Sequence, residues 1–168
     1  CSASAKDVVP AAGWATVEDW DKAVAYAKKT NKPITILYSF ESSSCPKVAG
    51  CAGRIMRDKS LEATVRVIAF TEDDFALMNS LRSMARGGSG MIPEVYMVDP
   101  NLQLVGFVDY GEERGTGLKD AAERAVEIVK FKGKTEKEIA KADKDAAAGK
   151  FKAALKAIDK LAEMDSKI

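Results

Sequence analysis

The sequence predicts an α/β fold: a mixed central sheet flanked by helices, followed by a C-terminal helical hairpin. Three observations carry this expectation. Residues 34–40 (ITILYSF) and 65–70 (VRVIAF) are continuous β-prone apolar runs, the pattern of strands buried on both faces. Apolar residues at helical spacing precede, separate and follow these runs. Residues 94–98 and 102–108 are two more strand-like stretches, joined by Asp99-Pro100-Asn101, a turn short enough to force an antiparallel hairpin. The order α-β-α-β-α-β-β-α requires a sheet covered on both sides.

The elements follow in chain order. Thr16-Val17-Glu18-Asp19 is a capping-box variant, and Val17, Trp20, Val24 and Ala27 then form one apolar stripe. Asn31-Lys32-Pro33 ends that helix. After the first strand a polar loop, residues 41–44, leads to Cys45-Pro46 and a helix to about Arg57. Beyond the second strand, Phe75, Met78, Leu81 and Ala85 mark an amphipathic helix that stops at Gly87-Gly88-Ser89-Gly90. Leu118, Ala122, Ala125 and Val129 line another. From Thr135 onward Ala, Lys, Asp and Glu dominate, and two helices fit, broken at Gly149-Lys150. The expected organisation is a tether over residues 1–12, a domain over 13–132 and a helical hairpin over 133–168.

Composition narrows the function. The chain has 168 residues, 46% hydrophobic and 30% charged, as expected of a globular domain with a real core. Lys+Arg number 26 against 25 Asp+Glu, a net charge of +1, which gives no electrostatic footprint for nucleic acid. Histidine is absent, which excludes Ser-His-Asp and Cys-His nucleophiles and His-ligated zinc. The three cysteines cannot form the usual four-ligand zinc site alone, and neither a metal nor a cofactor is expected.

Residues 14–131 resemble a thioredoxin-like domain. The resemblance rests on Asn31-Lys32-Pro33 before the first buried strand, a cysteine shortly after that strand, and Met91-Ile92-Pro93 before the hairpin. Its most specific part is residues 92–106 (IPEVYMVDPNLQLVG). The resemblance implies that Pro93 follows a cis peptide bond beside the active cysteine. It also implies that Ile92 pairs through its backbone with an extended substrate peptide. The tail segment 146–155 (AAAGKFKAAL) resembles the junction of a tetratricopeptide repeat. A lone repeat cannot bury its own face, so Phe151, Leu155, Ile158 and Leu161 are expected to pack on the parent domain.

The departures bear on mechanism. That family's usual Cys-x-x-Cys uses one thiol to attack and the second to resolve the mixed disulfide. Here Cys45 fits the attacking position, but Val48 stands in the resolving one. Ser39 replaces a frequent buried acid, and Ser44 replaces a frequent tryptophan. Cys45 is nonetheless set up to react. A sulfur capping the helix that begins at Pro46 faces unpaired N–H groups and the positive dipole end, and Lys47 adds a cation. Both favour thiolate. Glu41 acts in the opposite sense.

Cys51 has two readings. In regular helix, six residues rise about 9 Å, which separates the sulfurs. A disulfide needs Cα atoms within about 7 Å, so Cys45 and Cys51 pair only if Pro46, Gly50 and Gly53 distort the segment. Otherwise Cys51 is a small buried hydrophobe.

Cys1 has the look of a lipid-attachment site of a bacterial envelope lipoprotein, against an arbitrary chain start. An acyl chain there would anchor the domain to a membrane in an extracytoplasmic, oxidising compartment. Glu72-Asp73-Asp74 is read as capping the next helix and not as a metal site. Tyr38, Tyr96 and Tyr110 are read as packing residues. Residues 111–117 match no phosphate-binding signature. The charges after Lys132 form a solvated face without a membrane-binding stripe. Two functions remain. One is an envelope thiol–disulfide oxidoreductase acting on protein or peptide thiols and disulfides through Cys45. The other is a redox-silent module of the same fold that holds a peptide or protein partner.

Overall fold

Apolar runs without polar interruption fold into the middle of the sheet, and helical stripes cover both its faces. The computed structural model describes residues 6–7, 10–43, 45–73, 75–85, 92–109 and 117–165. In chain order the elements are β1 (Lys6–Asp7), β2 (Ala15–Thr16), α1 (Trp20–Thr30), β3 (Ile34–Ser39) and β4 (Ser42–Ser43). Then come α2 (Pro46–Met56), β5 (Val65–Phe70), α3 (Leu77–Met84), β6 (Glu94–Val98) and β7 (Leu104–Val108). Two helices, α4 (Gly117–Ala147) and α5 (Phe151–Asp165), complete the chain.

The five-stranded sheet has the order β2-β5-β3-β6-β7. β2 and β3 run parallel to β5, whereas β6 is antiparallel to both β3 and β7. This is the mixed, helix-flanked sheet expected of a thioredoxin-like domain. β3 is central, and alternation along it divides the core. Ile34 and Ile36 pack with Ala23 and Ala27 of α1 and Met78 and Leu81 of α3. Leu37 packs on the other face with Cys51, Ala52 and Ile55 of α2 and Ala122 and Ala125 of α4.

Several sequence expectations need correction. The Thr16 capping box does not form: Thr16 is drawn into β2, pairing with Ile68, and Val17–Asp19 is a 3₁₀ turn. Asn31 does end α1, in a left-handed conformation with its N–H donated to the Ala27 carbonyl. Leu102, expected to begin a strand, lies in the turn with φ 65°, because Asp99 Oδ1 accepts from the N–H groups of Asn101 and Gln103 at 2.9 Å. The three helices expected after Gly117 are two, since α4 runs unbroken through Gly133. One glycine costs a helix only about 1 kcal/mol, and Thr135 Oγ1 donates to the Phe131 carbonyl at 3.1 Å.

The chain falls into two compact units, Cys1–Val129 and Lys130–Ile168. Within the second, α5 buries Ala154 and Ala157, while Phe151, Leu155 and Ile158 are 67%, 59% and 52% exposed. Within this unit it is the small residues Ala154 and Ala157 of α5 that turn inward, not the larger apolar ones. Among the described residues no helix is long and apolar enough to cross a membrane.

Candidate functional site

The site begins with how α2 starts. Cys45 is its N-cap in an extended conformation, followed by Pro46 at the first helical position, where a missing N–H costs nothing. The thiol is exposed. Its pKa is held below that of an ordinary thiol, chiefly by the backbone N–H of Val48, then by that of Lys47, with the Lys47 charge adding to them. The Val48 N–H also donates to the Cys45 carbonyl at 3.1 Å, as the first turn of α2 closes. The thiolate is the form that attacks disulfides, and both its exposure and the lowered pKa favour that reaction at Cys45.

The approach to Cys45 is tied down by contacts the sequence did not reveal. Glu72 Oε2 accepts from the Glu41 N–H at 3.2 Å and from Thr71 Oγ1 at 2.8 Å. β4 pairs with β1, Ser42 opposite Asp7 and Ser43 opposite Lys6. Glu72 and Asp73 were expected to cap α3. Instead the N-cap of α3 is Ala76, and Asp73 accepts from the Phe70 N–H at 2.7 Å. Both acids serve the loops at the end of β3 and β5. Asp74, Ser44, Tyr110 and residues 111–116, also singled out in the sequence, lie outside the described residues, as does Cys1.

Cys51 is 1% exposed and sits among Leu37, Ala52 and Ile55. α2 is continuous from Pro46 to Met56, so a Cys45–Cys51 pairing would require the helix to unwind. Ser39 lies at the exit of β3, fully buried, and among the described residues its hydroxyl has no hydrogen-bond partner. By strand alternation it shares the α2-covered face with Leu37.

The Ile92–Pro93 peptide bond is cis. Ile92 is half-buried and Pro93 buried. Glu94 pairs with Tyr38, which brings Pro93 to the sheet end where β3 leaves for Cys45. A small apolar cavity joins Pro93 to Ile55, Val95, Val108 and Leu118. Ile55 is ten residues along α2 from Cys45, about 15 Å of helical rise.

Next to Pro93 stands a polar cluster that sequence reasoning missed. The Glu94 side chain is 3% exposed, with Arg82 Nε 3.4 Å from its Oε2. Tyr96 donates its hydroxyl to the same oxygen at 2.8 Å, and the Arg82 guanidinium lies 5.7 Å over the Tyr38 ring. Burial, then the bond to Glu94, pushes the Tyr96 pKa well up, so the phenol remains a donor. The available signal was the i, i+2 spacing of an acid and a tyrosine on one face of an otherwise apolar strand. Among the described residues no group of three or more potential ligands could hold a metal ion.

No protein-family model and no curated protein matches the sequence. Among solved structures, the chain is similar to a DsbH oxidoreductase at 13% identity and a TM-score of 0.44, over 62% of this chain and 81% of that one. It is also similar to a disulphide isomerase from Xylella fastidiosa Temecula1 at 16% identity and a TM-score of 0.43, over 71% of this chain and 89% of that one.

Proposed function

We propose that the protein is a thiol–disulfide exchange protein with a single working thiol, Cys45, acting on protein or peptide disulfides outside the cytoplasm. The exposed Cys45 sulfur at the start of α2, with its pKa lowered by the Val48 and Lys47 N–H groups, carries the proposal. In this scheme the Cys45 thiolate attacks one sulfur of a substrate disulfide. A Cys45–substrate disulfide forms, and the other substrate sulfur leaves as a thiolate that takes up a proton. An external thiolate then attacks the substrate sulfur of the mixed disulfide, forming a new disulfide between itself and the substrate and releasing Cys45 as the thiolate. The substrate chain lies along Ile92–Pro93 in an extended conformation. An oxidising compartment is where such substrates persist.

A second reading, a redox-silent module that binds a peptide or protein partner, is favoured by one observation. Cys51 is buried in continuous helix and Val48 occupies the resolving position, so among the described residues no second thiol lies one helical turn from Cys45. Val48→Cys separates the two. It places a thiol one helical turn from Cys45, where it can resolve the mixed disulfide from within. We expect the wild type to form a one-to-one mixed disulfide that accumulates, seen as an adduct in the intact mass, and Val48→Cys to convert it into turnover. If neither protein forms the adduct, the redox-silent reading stands.

A further inference from the structure

The unit Lys130–Ile168 leaves one apolar flank uncovered. Its inner face is made of small residues, Ala142 of α4 and Ala154 and Ala157 of α5, all buried. On one flank Lys160 pairs with Glu138. At about 100° per residue, Ile139 falls on the opposite side of Ala142 from Glu138, and Leu155 and Ile158 fall on the opposite side of the buried alanines from Lys160. Ile139, Phe151, Leu155 and Ile158, 46–67% exposed, therefore share the other flank. Phe151, Leu155 and Ile158 follow the i, i+4, i+7 spacing that one helix offers another.

We infer that this flank is the contact surface for a second copy of the chain, α5 lying antiparallel on its counterpart about a two-fold axis near Leu155. Charge selects this occupant. Lys152 and Asp159, both exposed, border the stripe on the same outer edge, one on each side of Leu155 along the helix. Antiparallel helices related by a two-fold bring like edges together, so Lys152 faces Asp159 of the partner subunit and Asp159 faces the partner's Lys152. A parallel two-fold would instead set each outer edge against the partner's other edge and leave Lys152 and Asp159 unmatched. The edge is balanced in sign, whereas an anionic bilayer calls for a basic one. Lys156 and Lys160 lie further round α5, away from the stripe.

The test is sedimentation velocity of the full chain with reductant present, which removes disulfide-linked dimers through Cys45 and makes the result independent of the exchange proposal. A reversible dimer is expected. Leu155→Asp should weaken it roughly a hundredfold, as for a central apolar contact. Lys152→Asp and Asp159→Lys should each weaken it about tenfold, and the two together should restore it to within about threefold of wild type. All three sites are exposed, and circular dichroism checks that helix content is kept. Should Leu155→Asp reduce helicity, the charge-exchange set decides alone. A protein that stays monomeric at every concentration, a dimer indifferent to Leu155→Asp, or a double variant no stronger than the singles overturns the inference.

Discussion

Cys45→Ser is expected to abolish mixed-disulfide formation with a peptide disulfide, by at least about a hundredfold, because a serine hydroxyl supplies no thiolate. It should do so without loss of stability. Cys45 is the N-cap of α2, and its side chain is exposed. Serine is among the preferred N-cap residues, so the variant should be as stable as wild type or more so by up to about 1 kcal/mol. Activity and stability therefore move apart, which a general disruption of the fold cannot produce. Cys51→Ala should do the reverse. Removing a sulfur that is 1% exposed leaves a small cavity beside Leu37 and Ile55 and lowers stability. Exchange through Cys45 should persist. Adduct mass and thermal unfolding of both variants check the pattern. Exchange that survives Cys45→Ser and vanishes in Cys51→Ala would assign the chemistry to the wrong sulfur.

The largest stability effect outside the apolar core is expected at Glu94. Its carboxylate, 3% exposed, accepts from Tyr96 and pairs with Arg82. Glu94→Ala leaves the Tyr96 hydroxyl buried without its acceptor and removes the partner that fixes Arg82. Leaving that buried hydroxyl unsatisfied costs up to about 3 kcal/mol, and the pair with the partly exposed Arg82 adds little. At roughly 2–4 °C per kcal/mol for a chain of this size, the transition should fall by up to about 6–12 °C. Glu94→Gln keeps an acceptor for Tyr96 and should lose much less. Arg82 is 41% exposed, so part of its share is screened by solvent. Arg82→Met retains the packing of its stem over Tyr38 and leaves Glu94 the hydroxyl of Tyr96. Arg82→Met, which leaves the buried Glu94 without its cation, and Glu94→Ala are both expected to fall below Glu94→Gln and the wild type, read by thermal unfolding. A shift below about 1 °C for Glu94→Ala would mean that the cluster does not hold α3 and β6 together.

The two central strands were legible because a strand buried on both faces must be apolar throughout, and residues 34–40 and 65–70 are. The hairpin was legible from Asp99-Pro100-Asn101, although not its exact start. That depends on Asp99 Oδ1 gathering two N–H groups, which the apolar pattern at Leu102 conceals. β2 escaped notice because two residues carry no alternation, and Ala15 and Thr16 become a strand only by pairing with β5. A separate helical segment was expected from residue 133, but α4 continues through Gly133. Its penalty is small against the run of good helix formers around it, and α4 absorbs it.

At the site, the exposed thiol at the entrance to α2 and the cis bond before Pro93 were both expectations of the sequence, and both are present. The roles of Glu72 and Glu94 were not legible. Each is defined by a partner remote in the chain, Glu41 for one and Arg82 for the other. An acid gives no sequence signal of whether it will cap a neighbouring helix, face water or be drawn into tertiary structure.

The pH dependence of Cys45 alkylation, followed by peptide mass under pseudo-first-order conditions, tests the central claim most directly. A thiol favoured in its charged form by the start of a helix reacts at a rate that climbs with pH and levels off at its own pKa. The midpoint is expected below that of the same cysteine in the denatured chain measured alongside, and higher in Lys47→Glu, where a cation gives way to a carboxylate. A folded-state midpoint equal to or above the denatured one would overturn the assignment of Cys45 as an activated thiol.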